Sequence, residues 1–147
     1  MTAVAVVLTL VAGLAGAVQV AVMGRFGDRI GTLPALAFAA CVTAAMALVA
    51  LVVARRSLSG FGDAARQPAW MWLGGVAGTL IVFTITFVAP RIGTFATIGL
   101  FIAAQLAMGV VIDRFGLFGL ERIGLAWTRV AGLVLLAAGA ALALHRS

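Results

Sequence analysis

Residues 70–114 read WMWLGGVAGTLIVFTITFVAPRIGTFATIGLFIAAQLAMGVVIDR, and the only charges among them are Arg91 near the centre and Asp113-Arg114 at the end. Each uncharged run flanking Pro90-Arg91-Ile92-Gly93 approaches the ~20 residues that carry a helix across the hydrocarbon core of a bilayer. So short a connection predicts a tight antiparallel helical hairpin. The apolarity is continuous rather than alternating, which excludes outer-membrane strands. Unsatisfied backbone groups cost several kcal/mol each in hydrocarbon, so the runs must be helices.

The same pattern extends in both directions. Five apolar stretches, at residues 2–23, 33–54, 70–89, 94–112 and 130–144, are separated by short charged joints, and all the charged residues fall in those joints or beyond the last stretch. The expectation is an all-α membrane protein, a single domain over residues 1–147 with five transmembrane helices. Gly24-Arg25-Phe26-Gly27-Asp28-Arg29-Ile30-Gly31 reads as a glycine-punctuated joint after the first span. Pro34 falls in the first turn of the second span, where its missing N–H is harmless. The longest joint, residues 55–69, has most room to be mobile. Trp70 and Trp72 open the third span as rings suited to the headgroup level. His145-Arg146-Ser147 reads as a polar end cap.

Composition narrows the function. The chain is 65% hydrophobic and 10% charged, with formal charge +6 from ten basic residues against four acidic ones. The basic residues are all arginines at span ends, and no basic face or aromatic-basic platform accompanies them, so the charge does not indicate a nucleic-acid partner. The N-terminus has no basic segment before its apolar run, and that run exceeds a signal-peptide core, so it reads as a retained span. Cys41 is the single cysteine and reads as a small buried apolar residue. The sole histidine is terminal, and no GxSxG, zinc-ligand spacing or phosphate loop occurs. Neither a catalytic residue nor a metal or other cofactor is expected.

With a cytoplasmic N-terminus, the inner side carries Arg55, Arg56, Arg66, Arg114, Arg122 and Arg129, and the outer side Arg25, Arg29, Arg91 and Arg146. The positive-inside rule favours that orientation only mildly. Insertion in both orientations, and an antiparallel dimer with a two-fold axis in the membrane plane, is therefore an open expectation. Small residues at four-residue spacing, Gly13 with Ala17, Ala40 with Ala44, Gly74 with Gly78 and Gly139 with Ala143, are candidates for close helix contact.

Polarity inside the spans is confined to amides and hydroxyls. An amide in hydrocarbon needs hydrogen-bond partners, so Gln19 and Gln105 should face protein or a watery cavity. On the fourth span Thr94, Thr97, Phe101, Gln105 and Met108 share one face, and on the first Thr9, Gly13, Gly16, Gln19 and Met23 do so. Two readings stand side by side. The faces line a mostly apolar solute cavity, or each glutamine ties two helices together, worth about 0.6 kcal/mol. Thr79, Thr84 and Thr86 are expected to bond their own helix carbonyls one turn back. Asp113 and Arg114 form a local ion pair at a helix end or take a gating or coupling role.

The ordered set Gln19, Arg25-Phe26-Gly27, Ile30-Gly31, Trp70-Met71-Trp72-Leu73-Gly74-Gly75, Ala89-Pro90-Arg91-Ile92-Gly93, Ala104-Gln105 and Asp113-Arg114-Phe115-Gly116-Leu117-Phe118-Gly119 resembles the YdcZ-type inner-membrane exporters of the drug/metabolite transporter superfamily. The resemblance spans nearly the whole chain. It implies a bacterial inner-membrane, multi-pass unit of five helices, half of a ten-helix transporter, paired with a second copy or a paralogue in inverted orientation. It also implies that Gln19 and Gln105 are cavity residues and Asp113 a signature position. Met23 departs from the family pattern, which favours asparagine four residues after the first glutamine. The resulting expectation is a small-solute transporter, an exporter working by alternating access. Gln19, Gln105 and Thr97 would contact solute through polar groups, and Phe101 and Met108 through apolar ones. The rivals are a non-transporting accessory subunit and a passive channel, which would want a continuous polar stripe.

Overall fold

The structure, a computed structural model, describes residues 2–57, 59–124 and 126–144. Every regular element among them is helical: α1 (Thr2–Ile30), α2 (Thr32–Arg55), α3 (Ser59–Ala65), a 3-10 turn at Ala69–Trp72, α4 (Leu73–Ile92), α5 (Thr94–Phe115), a second 3-10 turn at Leu117–Gly119 and α6 (Trp127–Leu144). The terminal cap expected at residues 145–147 lies outside the described residues. Four stretches, Ala3–Ile30, Thr32–Arg55, Ala69–Ile92 and Thr94–Phe115, are long and apolar enough to cross a bilayer, and Val130–Leu144 is a shorter apolar helix. The chain is thus an all-α membrane protein. It forms two compact units, Met1–Val20 with Arg91–Ser147, and Ala21–Pro90.

Helices α2 and α5 begin within a residue of where the sequence places them, because each follows a glycine that no other residue could easily replace. Gly31 has φ 92° and ψ 152°, and Gly93 has φ 86° and ψ 155°. That backbone region is accessible essentially to glycine alone. Each glycine carbonyl then accepts the first backbone bond of the next helix, from Ala35 N–H at 3.2 Å and from Thr97 N–H at 3.1 Å. Both corners occur in the same tetrapeptide, Arg-Ile-Gly-Thr, at residues 29–32 and 91–94.

The first joint is not a joint. Helix α1 continues through Gly24 and Gly27 to Ile30, since those glycines admit a neighbouring helix instead of breaking their own. Within the unit Ala21–Pro90, a Cβ placed on Gly27 would lie 2.6 Å from Thr86 Cγ2 and 3.2 Å from the Thr86 carbonyl oxygen; one on Gly24 would lie 3.2 Å from Ala89 Cβ. The facing side of α4 is its buried stripe, Ile85, Thr86 and Ala89. Pro90 follows within α4 and has no N–H to give the Thr86 carbonyl four residues back. Phe26 and Phe38 complete the packing of α1 on α2, edge to face with centroids 5.7 Å apart, and Ala35 is fully buried.

The small-residue pairs do not mark these contacts. Around Gly13, Gly74, Gly78 and Gly139 no described atom outside the neighbouring residues and backbone of the same helix lies within 4 Å of a Cβ position. Cys41 is exposed on α2 rather than buried. Among the described residues none in the most apolar 18-residue window of α2 is buried, so lipid or another protein must complete its cover. The connection expected to be an open loop contains α3. Trp70 and Trp72 are exposed at the entry to α4, as headgroup-level rings require. The hydroxyls of Thr79, Thr84 and Thr86 donate to Gly75, Leu80 and Val82 carbonyls at 3.1, 2.8 and 2.6 Å, as expected for threonine in an apolar helix.

In the other unit, α6 packs along α5. A Cβ on Gly99 would meet Ala140 Cβ at 3.6 Å, ordinary van der Waals contact. Gly99→Ala should therefore leave the melting temperature in detergent unchanged, whereas Gly99→Leu should lower it by an amount corresponding to the ~1–3 kcal/mol of overpacking. Equal stability of the leucine variant would show that α6 does not rest on Gly99.

Candidate functional site

The face of α5 that meets α6 is formed by Gly99, Leu106, Gly109, Val110 and Asp113. At about 100° per residue, Phe101, Gln105 and Met108 lie roughly a third of a turn from that face. Helix α6 therefore leaves them uncovered. Gln105 is exposed, Met108 is 48% exposed and Phe101 is half-buried. Thr97 is buried, and its hydroxyl donates to the Gly93 carbonyl at 2.8 Å, so its proton serves the first turn of its own helix.

On α1 the expected face divides. Val20, Met23 and Gly24 are buried, whereas Gln19 projects from the exposed side. Met23 thus packs, as suits the apolar residue found where the resemblance favours a polar one. Thr9 is exposed and donates to Ala5 carbonyl at 2.8 Å. Among the described residues, neither glutamine side chain has a hydrogen-bond partner within the chain. The amide dipoles of two span residues are thus presented to whatever surrounds the chain.

Asp113 and Arg114 face different surroundings. Asp113 is half-buried at one end of a groove of about 340 Å³ between α5 and α6, whose other walls are Leu106, Gly109, Val110, Gly132, Leu133 and Leu136. Its backbone carbonyl accepts the Ile123 N–H at 2.9 Å, which folds the following loop back onto the end of α5. Arg114 lies instead at a second cavity of about 410 Å³, with Phe115, Arg122, Ile123 and Gly124. Sequence reasoning missed the groove. Its only signal is the glycine in each of two successive helices, Gly109 and Gly132, which removes side-chain volume from both walls.

The comparisons with known proteins agree with this membrane architecture. A family profile described as "Putative inner membrane exporter, YdcZ" matches residues 4–142. The chain is also similar to the protein named "Inner membrane protein YdcZ" of Escherichia coli (strain K12), with 26% identity over 137 residues that cover 92% of this chain and 91% of that one. No solved structure matches it. A chain of long apolar helices with such relatives is a multi-pass inner-membrane protein. It belongs to the family that carries that description, which is a family of membrane proteins and not of enzymes.

Proposed function

We propose that the chain is one protomer of a small-solute exporter that works as an antiparallel dimer, binding solute between two copies and exposing it to each side in turn. The observation that carries this reading is the outward presentation of Gln19 and Gln105 from the spans, with no hydrogen-bond partner for either side chain among the described residues. An amide left unpaired in hydrocarbon costs roughly 1–3 kcal/mol or more, so the assembled protein must supply a partner, either a solute in a wet cavity or the second copy. In a cavity, Gln19 and Gln105 orient the solute, Phe101 and Met108 give it apolar contact, and Thr97 shapes the start of the α5 wall. Asp113, at the end of the α5 face turned to α6, takes the coupling role.

Two further facts support pairing. No more than 11% of the central residues of any of the four long helices is buried within the chain. The arginine balance across the membrane is close to even, which suits insertion both ways. The family description supplies the direction, export. Compartment reporters fused to each terminus, in cells lacking any paralogue, should both signal from both sides of the membrane. A single clean orientation would sink the antiparallel homodimer. Purified protein in liposomes should show saturable solute flux. Absence of flux together with co-purification of unrelated membrane proteins would establish the accessory role instead.

A further inference from the structure

We propose that the cavity between Arg114 and Arg122 is a binding site for the phosphate of an anionic phospholipid. Gly116 makes the cavity. It closes α5 in the left-handed conformation, φ 62° and ψ 40°, and donates its N–H to the Ile112 carbonyl. The loop turns through Leu117–Gly119 and returns, held by the bond from Ile123 N–H to the Asp113 carbonyl. Arg122 thereby crosses the glycine so closely that a Cβ on Gly116 would lie 2.8 Å from Arg122 Cγ and 2.9 Å from the Leu120 carbonyl oxygen. Only the missing side chain lets the Arg122 stem lie across the helix end, where Arg122 and Arg114 line one cavity.

The charges around this end are segregated. Asp113 lines the α5–α6 groove, whereas the described residues that line the arginine cavity are Arg114, Phe115, Arg122, Ile123 and Gly124, two of them basic and none acidic. The helix C-terminus contributes about half a negative charge, which two full positive charges outweigh. Arginine forks match phosphate oxygens in paired hydrogen bonds.

The neighbouring walls point to a lipid rather than a free anion. Phe115 is 61% exposed and Ile123 45% exposed, so apolar surface borders the arginines at the end of a membrane-crossing helix. A phosphodiester headgroup on the guanidiniums would thus lay its acyl chains against Phe115 and Ile123. Basic pockets at this level of the bilayer hold anionic headgroups in this way.

Native mass spectrometry of the full-length protein, equilibrated with equal amounts of phosphatidylglycerol and phosphatidylcholine of the same acyl chains, tests the site. Each arginine at the surface is worth roughly a five-fold preference, so the pair should retain phosphatidylglycerol about twenty-five-fold over phosphatidylcholine. The double variant Arg114→Gln/Arg122→Gln should lose most of that preference, while Arg55→Gln/Arg56→Gln, with the same change in net charge, should keep it. Equal losses in the two double variants, or none in the first, would overturn the proposal. Displacement of the lipid by excess inorganic phosphate would also overturn it, in favour of a soluble phosphate ligand.

Discussion

Gln105→Ala should cut solute flux in liposomes by roughly ten-fold or more while leaving the oligomer intact. The magnitude follows from the chemistry of an amide at span depth. Truncating one partner of a buried hydrogen bond leaves the other unsatisfied at a cost of about 1–3 kcal/mol, and each 1.4 kcal/mol is a factor of about ten in affinity. Among the described residues nothing contacts this amide through a hydrogen bond, and the α6-facing side of α5 lies elsewhere, so its loss should not weaken the fold. Gln105→Leu serves as the sharper version, since it preserves bulk and removes only the polar group. The measurement separates the two readings of this residue. A fall in flux with an unchanged dimer fraction places Gln105 at the solute. A dimer that dissociates makes it an interhelical tie, and unchanged flux with an unchanged dimer removes it from both roles.

Gly27→Val should be the most damaging single substitution in the unit Ala21–Pro90. The added Cβ would stand 2.6 Å from Thr86 Cγ2, a separation that real side chains do not reach. Thr86 cannot easily yield. It is 1% exposed, and its hydroxyl is held to the Val82 carbonyl at 2.6 Å. Overpacking of this kind costs about 1–3 kcal/mol, and valine adds further bulk on a β-branched carbon. The melting temperature in detergent should fall accordingly, and the milder Gly27→Ala should fall less. Combining Gly27→Ala with Thr86→Ser removes the clashing methyl and keeps the hydroxyl, so it should recover part of the loss, as coupled neighbours do. Gly13→Ala and Gly74→Ala, with nothing within 4 Å, should be neutral for the protomer. If Gly27→Ala proves as mild as these, α1 and α4 do not meet at this point.

The contrast between these glycines explains what the sequence could and could not reveal. The all-α membrane class was legible because length and uninterrupted apolarity answer to one simple constraint, the thickness of hydrocarbon. The starts of α2 and α5 are set by Gly31 and Gly93. The resemblance to YdcZ-type exporters, carried by motifs from Gln19 to Gly119, likewise agrees with the family match over residues 4–142. What the sequence hid was the use made of small residues. Gly24 and Gly27 look like punctuation but are helix contacts, whereas Gly13, Gly74, Gly78 and Gly139 look like contacts and meet no other helix among the described residues of their own units. A glycine's role is set by what lies opposite it, and a single sequence does not show that. The candidate solute residues divide for the same reason. Periodicity put Gln19 and Met23 on one face, yet the face is wide enough for one to pack and the other to remain outside. Asp113 and Arg114 are adjacent in sequence, and the turn of the helix sends them to separate cavities.

The two Arg-Ile-Gly-Thr corners, finally, determine where this protein can accept foreign sequence. A corner made of one glycine between two helices has no slack, and its backbone geometry tolerates no other residue. An epitope or protease site inserted at Gly31 or Gly93 would have to unwind a span to fit. The loop after Gly116 is longer, but it is folded back onto α5 through Ile123. In the stretch around α3 the described side chains from Gly60 to Pro68 are all exposed, and the N–H groups of Arg66 and Gln67 and the Gln67 side-chain amide bond to carbonyls three or four residues back. That stretch is the natural place for a label, because an insertion there displaces no packed residue.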